Sequence, residues 1–248
     1  VRSGGLLLFP YLAAGLLCFF VLYPYLIKDI LSNSNLIIRI FLQAFIILVV
    51  GYFGGLVFWP YALQNVLVNP VESLGLMEHY AVSIKQLFDG KIIWSTDLPW
   101  YYLPVWMLLS TPPFIFAGSA VFIILFISGI CKWGLRKSSF YEGFILFSFL
   151  FPFLYVIVIG SNLYSGVRQM LFIMPPLAVI SILGIYKFLK ILYLKNRIIT
   201  CIMTILFIGI MVWPLKHQIM TFPVDYVYFN GLSGYSRNAW GNYEYDYY

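Results

Sequence analysis

Leu36-Ile-Ile-Arg39-Ile-Phe-Leu-Gln43-Ala-Phe-Ile-Ile-Leu-Val-Val-Gly51-Tyr-Phe-Gly-Gly55-Leu-Val-Phe-Trp59 holds a single charged side chain, Arg39, close to its start. A bilayer core of ~30 Å is crossed by about 20 apolar residues in a helix. Lipid offers the backbone no hydrogen-bond partners, so only helices or a closed barrel can span it. This stretch outruns a barrel strand and shows no alternation, so it reads as a transmembrane helix.

Five further segments read the same way: Gly5–Ile27, Tyr101 to just before Lys132, Phe140–Gly160, Met170–Leu189 and Ile198–Leu215. Pro112-Pro113 lies inside the third span in chain order, where a missing donor and a ring clash should kink or break the helix. Composition agrees. Of the 248 residues, 62% are hydrophobic and only 10% are charged, against about 25% charged in a soluble domain. Disorder, a coiled coil and a disulfide-stapled secreted module are excluded, because polar bias, heptads and paired cysteines are all missing. The expected fold class is an all-α polytopic membrane protein with about six transmembrane helices plus one outward interfacial amphipathic helix.

Sorting the charges by membrane side gives the orientation. Lys28, Arg39, Lys132, Arg136, Lys137, Lys187, Lys190, Lys195 and Arg197 share a side with Asp29 and Glu142, a sum of +7. The other side carries six basic and seven acidic residues, a sum of −1, and together they recover the net +6. The basic side is therefore read as cytoplasmic. The basic residues anchor the inner leaflet, and no nucleic-acid partner is expected.

Two long segments then face outward, residues 60–100 and the tail 217–248, which follows the helical domain 1–216. In the first, Asn69 suits an N-cap, Pro70 the first helical position, Glu72 a capping-box acid and Gly90 a left-handed stop. Apolar residues recur at helical spacing between them, so an interfacial amphipathic helix is expected over 70–89. It either roofs a cavity between the spans or is purely structural. His79 on that helix and His217 are the only histidines, and no cysteine lies in an outward loop. That is a poor ligand set for a metal. No cofactor is expected, and a divalent-metal requirement is not decided by the sequence.

Asp97-Leu-Pro99-Trp100-Tyr101-Tyr102-Leu-Pro104 reads as a rigid, non-helical entry to the third span, of the kind tolerated where backbone is buried or lines a wet cavity. The same aromatics also suit an interfacial belt. Arg168, the only basic residue between the fourth and fifth spans, is placed at a helix N-terminus, where backbone N–H groups and a guanidinium suit a phosphate. A snorkelling arginine is the plainer reading. The tail mixes aromatics with amides and carboxylates, including Tyr228, Asn230 and Asp246. Rings that stack on sugar C–H faces beside groups that bind hydroxyls suit a carbohydrate, and aromatic packing onto the bilayer surface explains them equally.

Three blocks taken together resemble membrane glycosyltransferases of the GT-C superfamily, most closely the bacterial proteins of glycosyltransferase family 39, relatives of the protein O-mannosyltransferases. They are Leu98-Pro99-Trp100-Tyr101-Tyr102-Leu103-Pro104 with Thr111-Pro112; Gly166-Val167-Arg168-Gln169-Met170-Leu171-Phe172-Ile173-Met174-Pro175; and Phe222-Pro223 through Tyr226-Val227-Tyr228-Phe229-Asn230 with Tyr245-Asp246-Tyr247-Tyr248. Two positions depart from the family pattern: Phe222-Pro223 stands for His-Pro, and Asp246-Tyr247-Tyr248 for Asp-Tyr-Trp.

The resemblance implies transfer of a sugar from a polyprenyl-phosphate carrier to a protein or lipid acceptor on the extracytoplasmic face of a bacterial inner membrane. Arg168 is expected to stabilise the leaving phosphate. Asp97, Tyr101 and Tyr102 are expected to line the donor or acceptor cavity, and Tyr228, Asn230 and Asp246 complete the substrate-binding set. The carboxylate base is expected on an outward loop upstream of Val1, which reads as a cut end, so the catalytic residue lies outside this chain. The competing reading is a non-enzymatic membrane protein, such as a lipid or oligosaccharide transporter or a complex subunit. Transporters carry ionisable groups deep in their spans or inverted repeats, and this sequence shows neither.

Overall fold

The computed structural model describes residues 8–78, 83–221, 228–233 and 239–244. The chain divides into two compact units, Val1–Val82 and Ser83–Tyr248. His79, Phe222-Pro223 and Asp246 lie outside the described residues.

The first unit holds α1 (Leu8–Leu22), α2 (Pro24–Ser32), α3 (Ser34–Leu56), α4 (Pro60–Gln64) and α5 (Val68–Glu78). The expected first span is broken. Pro24 cannot continue a helix that would need its N–H, so α1 stops at Leu22 and α2 restarts with the proline at its first position. Asn33 then caps α3, its side chain accepting from the Leu36 N–H at 3.2 Å. At 1.5 Å per residue the 23 residues of α3 measure about 35 Å, enough to cross a bilayer.

The punctuation expected around Asn69 is shifted. α5 begins at Val68, whose N–H is taken by the Asn65 side chain at 3.3 Å. Asn69 donates instead to the Tyr61 carbonyl at 2.7 Å, and Glu72 accepts from the Tyr61 hydroxyl at 3.1 Å. These contacts fasten α4 to α5. An asparagine one turn earlier is the better cap, because its side chain meets the first free N–H of the helix.

The second unit carries β1 (Lys85–Phe88), β2 (Lys91–Trp94), α6 (Tyr102–Ser110), α7 (Pro113–Trp133), α8 (Lys137–Ile159), a 3-10 turn over Arg168–Ile173, α9 (Met174–Lys195), α10 (Arg197–Thr221) and a short 3-10 turn over Gly231–Ser233. The helix expected over 70–89 therefore ends in a different element. Residues 85–88 form a strand paired antiparallel with β2, Phe88 opposite Lys91 and Lys85 opposite Trp94. Asp89 and Gly90 have φ of 54° and 70°, the left-handed pair of a two-residue hairpin turn whose preferred sequences include Asp-Gly. Gly90 closes a hairpin rather than stopping a helix.

Among the described residues, five helical segments are long and apolar enough to cross a membrane: 34–56, 113–133, 137–159, 168–195 and 197–217; α1 is a shorter apolar helix. The chain is a multi-helix membrane protein by composition and length. Thr111-Pro112 separates α6 from α7, the break expected at the paired prolines. Within the second unit α9 is central, touching α7, α8 and α10. Its contact with α7 is built on small residues. A Cβ on Gly184 would collide with the Gly118 carbonyl oxygen, and one on Gly118 would collide with the Ser181 hydroxyl. Lipid gives helices no hydrophobic reason to associate, so close backbone approach at small residues takes that role.

Among the described residues one ion pair crosses between spans. Lys187 on α9 pairs with Glu142 on α8, and its ammonium lies 5.0 Å from the centre of the buried Phe122 ring on α7. Both partners belong to the basic side of the charge sort, and pairing suits charges held at a helix interface in lipid. At the same end Trp133 sits under Arg136 at 4.6 Å and Lys132 at 5.3 Å, an aromatic and cationic pairing typical of a membrane interface.

Candidate functional site in the cap

At the end of the second unit opposite Trp133, the hairpin, α6, the 160–173 connection and the described parts of the tail pack into one cap. Its core contains Phe88, Tyr102, Trp106, Leu163, Met170 and Phe229. Phe88 is the wedge that joins hairpin to helix: its ring centre lies 4.9 Å from Tyr102, and Tyr243 meets it edge-on at 5.8 Å. Trp106, fully buried, packs against Phe229 at 5.8 Å and Tyr243 at 5.6 Å. Gly166 lies against this indole. Its φ is 60°, and a Cβ built onto it would stand only 3.0 Å from the ring, so a side chain there would be strained and would press on the indole.

Two polar clamps hold the cap. Gln86, on the inner face of β1, donates from its amide to the Leu163 carbonyl at 2.7 Å and accepts from the Tyr102 hydroxyl at 2.5 Å. That hydroxyl oxygen in turn accepts from the Gly166 N–H at 3.1 Å. The second clamp is Asn230. Its amide donates to the carbonyls of Leu108 at 2.5 Å and Thr111 at 2.7 Å, its backbone N–H reaches the Leu109 carbonyl at 2.9 Å, and its side-chain oxygen accepts from the Leu232 N–H at 2.9 Å. Residues after α10 are thereby stitched to the end of α6, whose final carbonyls would otherwise be orphaned.

The sequence points to Tyr102 and Asn230 as substrate contacts. The structure gives both a role inside the packing, 2% and 0% exposed respectively, with their polar atoms bonded to the protein. Tyr101 is half-exposed, its ring 6.0 Å from Phe88 and 5.8 Å from Trp100. Asp97 is exposed, its N–H closing a turn onto the Trp94 carbonyl at 2.9 Å. Tyr228 is half-buried, edge-on to His217 at 5.9 Å.

Arg168 lies two residues beyond Gly166, partly buried. Its surroundings differ from those expected. It opens a six-residue 3-10 turn, its own N–H bonds to the Ser165 carbonyl at 3.2 Å, and α9 proper starts at Met174 with Pro175 and Pro176 in its first turn. Prolines bring no N–H, so any anion recognition at this position rests on the guanidinium and not on a helix N-terminus.

A cleft of about 40 Å³ opens between the cap and the end of α8, bordered by Ser95, Thr96, Trp100, Tyr102, Gly160 and Ser161. That is room for a few water molecules, well below the ~300 Å³ of a typical small-molecule site. Asp97 and Arg168 do not border it. Among the described residues no group of three or more His, Cys, Asp or Glu side chains is placed to hold a metal ion.

Two acidic-end groups of the tail have shifted titration. Burial pushes the Glu244 carboxyl above its usual range, and the Leu87 N–H, 3.3 Å away, opposes this only in part. Burial and the nearby Asp89 charge raise the Tyr243 phenol.

Gln86, Trp106 and Glu244 are functional to the cap yet absent from the set the sequence singles out. The readable signal for the first is Asp89-Gly90, a two-residue hairpin-turn sequence flanked by Leu87-Phe88 and Ile92-Ile93. Comparison with protein-family models, curated proteins and solved structures finds no match.

Proposed function

We propose that the chain is part of a membrane glycosyltransferase that moves a sugar from a polyprenyl-phosphate carrier to a protein or lipid acceptor on the extracytoplasmic face of a bacterial inner membrane. One observation carries this reading. The sequence blocks around Leu98–Thr111, Gly166–Pro175 and Tyr228–Asn230, distant in the chain, share one cap at the end of the spans opposite the basic residues. A lipid-linked donor presents its phosphate at that depth, and Arg168 is the cation the second block supplies.

In this scheme a carboxylate takes the acceptor's proton as the acceptor oxygen bonds to the anomeric carbon. The bond from that carbon to the carrier phosphate breaks, and Arg168 stabilises the released phosphate. Asp97 and Tyr101 are exposed at the cap and available to a sugar; Tyr102 and Asn230 position the loops around them.

The test is transfer in proteoliposomes by the complete protein, with Arg168→Ala and Arg168→Lys beside the native enzyme. The expected result is a loss of about 10²-fold or more for alanine, in the range of a removed transition-state donor, with partial recovery for lysine. Unchanged transfer by Arg168→Ala would take Arg168 out of the site.

The competing reading is a non-enzymatic lipid or oligosaccharide transporter or complex subunit. Movement of a labelled carrier lipid across the membrane without glycosyl transfer would support it over the first.

A further inference from the structure

The β1–β2 hairpin has two unlike faces. Gln86 and Phe88 point into the cap, each 1% exposed, whereas Ile92 is 73% exposed and Trp94 45% exposed on the other side. Ile92 and Trp94 are two residues apart on β2 and therefore share that face, with Lys85 directly opposite Trp94 and its ammonium 5.0 Å from the indole centre. A lone two-stranded hairpin is marginal in water, yet this one is fastened at several points. Phe88 is buried, Gln86 is bonded to Leu163, and the Gly90 N–H bonds to the Asn242 carbonyl at 3.1 Å. Its free face is consequently a fixed surface, not a mobile loop.

We infer that this face is a membrane-docking surface seated in the headgroup layer of the bilayer on the cap side. An exposed isoleucine and tryptophan with a lysine over the indole is interfacial chemistry: the apolar parts enter the acyl boundary, the indole N–H stays at the polar level, and the ammonium meets lipid phosphate. Continuity with the spans supports this occupant over any other. Beyond Trp94 the chain passes the exposed Trp100 and Tyr101 and enters α6 at Tyr102, and α6 leads straight into the apolar α7. The acids of the segment, Asp89 and Asp97, fall at the turn and after the strand, off the Ile92–Trp94 face. The inference does not depend on the glycosyltransferase reading.

The experiment places a nitroxide at Ile92→Cys in the full chain carrying Cys18→Ser, Cys131→Ser and Cys201→Ser, reconstituted in vesicles of zwitterionic and anionic phospholipid. Collision of the label with oxygen, which partitions into lipid, is compared with collision with a water-soluble nickel chelate. The expected oxygen-to-nickel ratio is several-fold above that of the free label in buffer. A ratio equal to free label means that the face looks into water, and low collision with both reagents means that protein covers it; either overturns the inference. Native chain and Trp94→Phe in vesicles brominated near the headgroup give a second readout that needs no cysteine. The bromine-quenched share of the emission should fall in the variant, and an unchanged share overturns the inference independently.

Discussion

α9 and α10 follow each other in the chain, 22 and 25 residues long, and both are apolar enough to cross a membrane, but the protein uses them differently. α9 buries Leu177, Ile180, Ser181 and Gly184 against its neighbours. None of the most apolar stretch of α10 is buried. Hydropathy decides that a segment lives in lipid, and residue size decides which segments touch. Gly184 of α9 admits the α7 backbone, whereas a Cβ on Gly209 of α10 would meet nothing within 4 Å. The chain after α10 is held at its return to the cap, by the burial of Phe229 against Trp106 and by the hydrogen bonds of Asn230.

The sharpest way to break this comparison is to place the same side chain at both glycines. Gly184→Leu drives a branched side chain into the Gly118 carbonyl, a backbone atom that cannot move aside. The cost should be about 3 kcal/mol or more, at the upper end for overpacking. Gly209→Leu points into open surroundings and should change stability by no more than about 0.5 kcal/mol. Thermal unfolding of the two variants in the same detergent micelle reads the difference. Equal losses would mean that α10 has a partner surface at Gly209, and the contrast between the helices would collapse.

A smaller loss should follow from cutting the return anchor. Asn230→Leu keeps the volume but leaves the carbonyls of Leu108 and Thr111 and the Leu232 N–H without their partner, around a position that is itself fully buried. Unmet buried groups cost about 1–3 kcal/mol each before relaxation, so a net loss of about 2–3 kcal/mol is expected. Because the anchor joins the tail to α6 and not to the α7–α9 seam, limited proteolysis should cut the variant first in the tail, with the α7–α9 pair protected.

How much of this is readable in the sequence differs by region for a physical reason. The spans are legible because lipid imposes one rule on every residue, and the break at Pro112 follows from one missing N–H. Pro24 obeys the same chemistry but sits within an apolar run that looks continuous by composition alone. The cap is harder. Asp89-Gly90 encodes a hairpin turn, but the preceding helical spacing and Gly90's fitness as a helix stop point elsewhere, and only the burial of Phe88 against Tyr102 decides between them. The roles of Tyr102 and Asn230 depend on partners 64 and 119 residues away in the chain, which no local pattern announces. What local sequence does carry is the grouping of the aromatic blocks, since Phe88, Trp106 and Phe229 need one another to leave water.

The smallest effect expected lies at the last anchor, where Glu244 accepts from the Leu87 N–H and joins the tail to β1. Its carboxyl is raised in the folded chain, burial being the larger cause. A raised acid binds more protons folded than unfolded, so its contribution to stability is greatest below the ordinary carboxylate value of about 4.3 and declines as pH climbs from there through the raised folded value. The hairpin–tail contact should therefore loosen on moving from acid toward neutral pH, by less than the loss at Asn230, because the group is only half-buried. Amide exchange at Leu87 and Gly90, followed across that range, should quicken with pH beyond the ordinary base-catalysed increase. Glu244→Gln, which keeps an acceptor and cannot ionise, should abolish the excess. An excess that survives the substitution would assign the pH response to another group of the cap and leave Glu244 a passive acceptor.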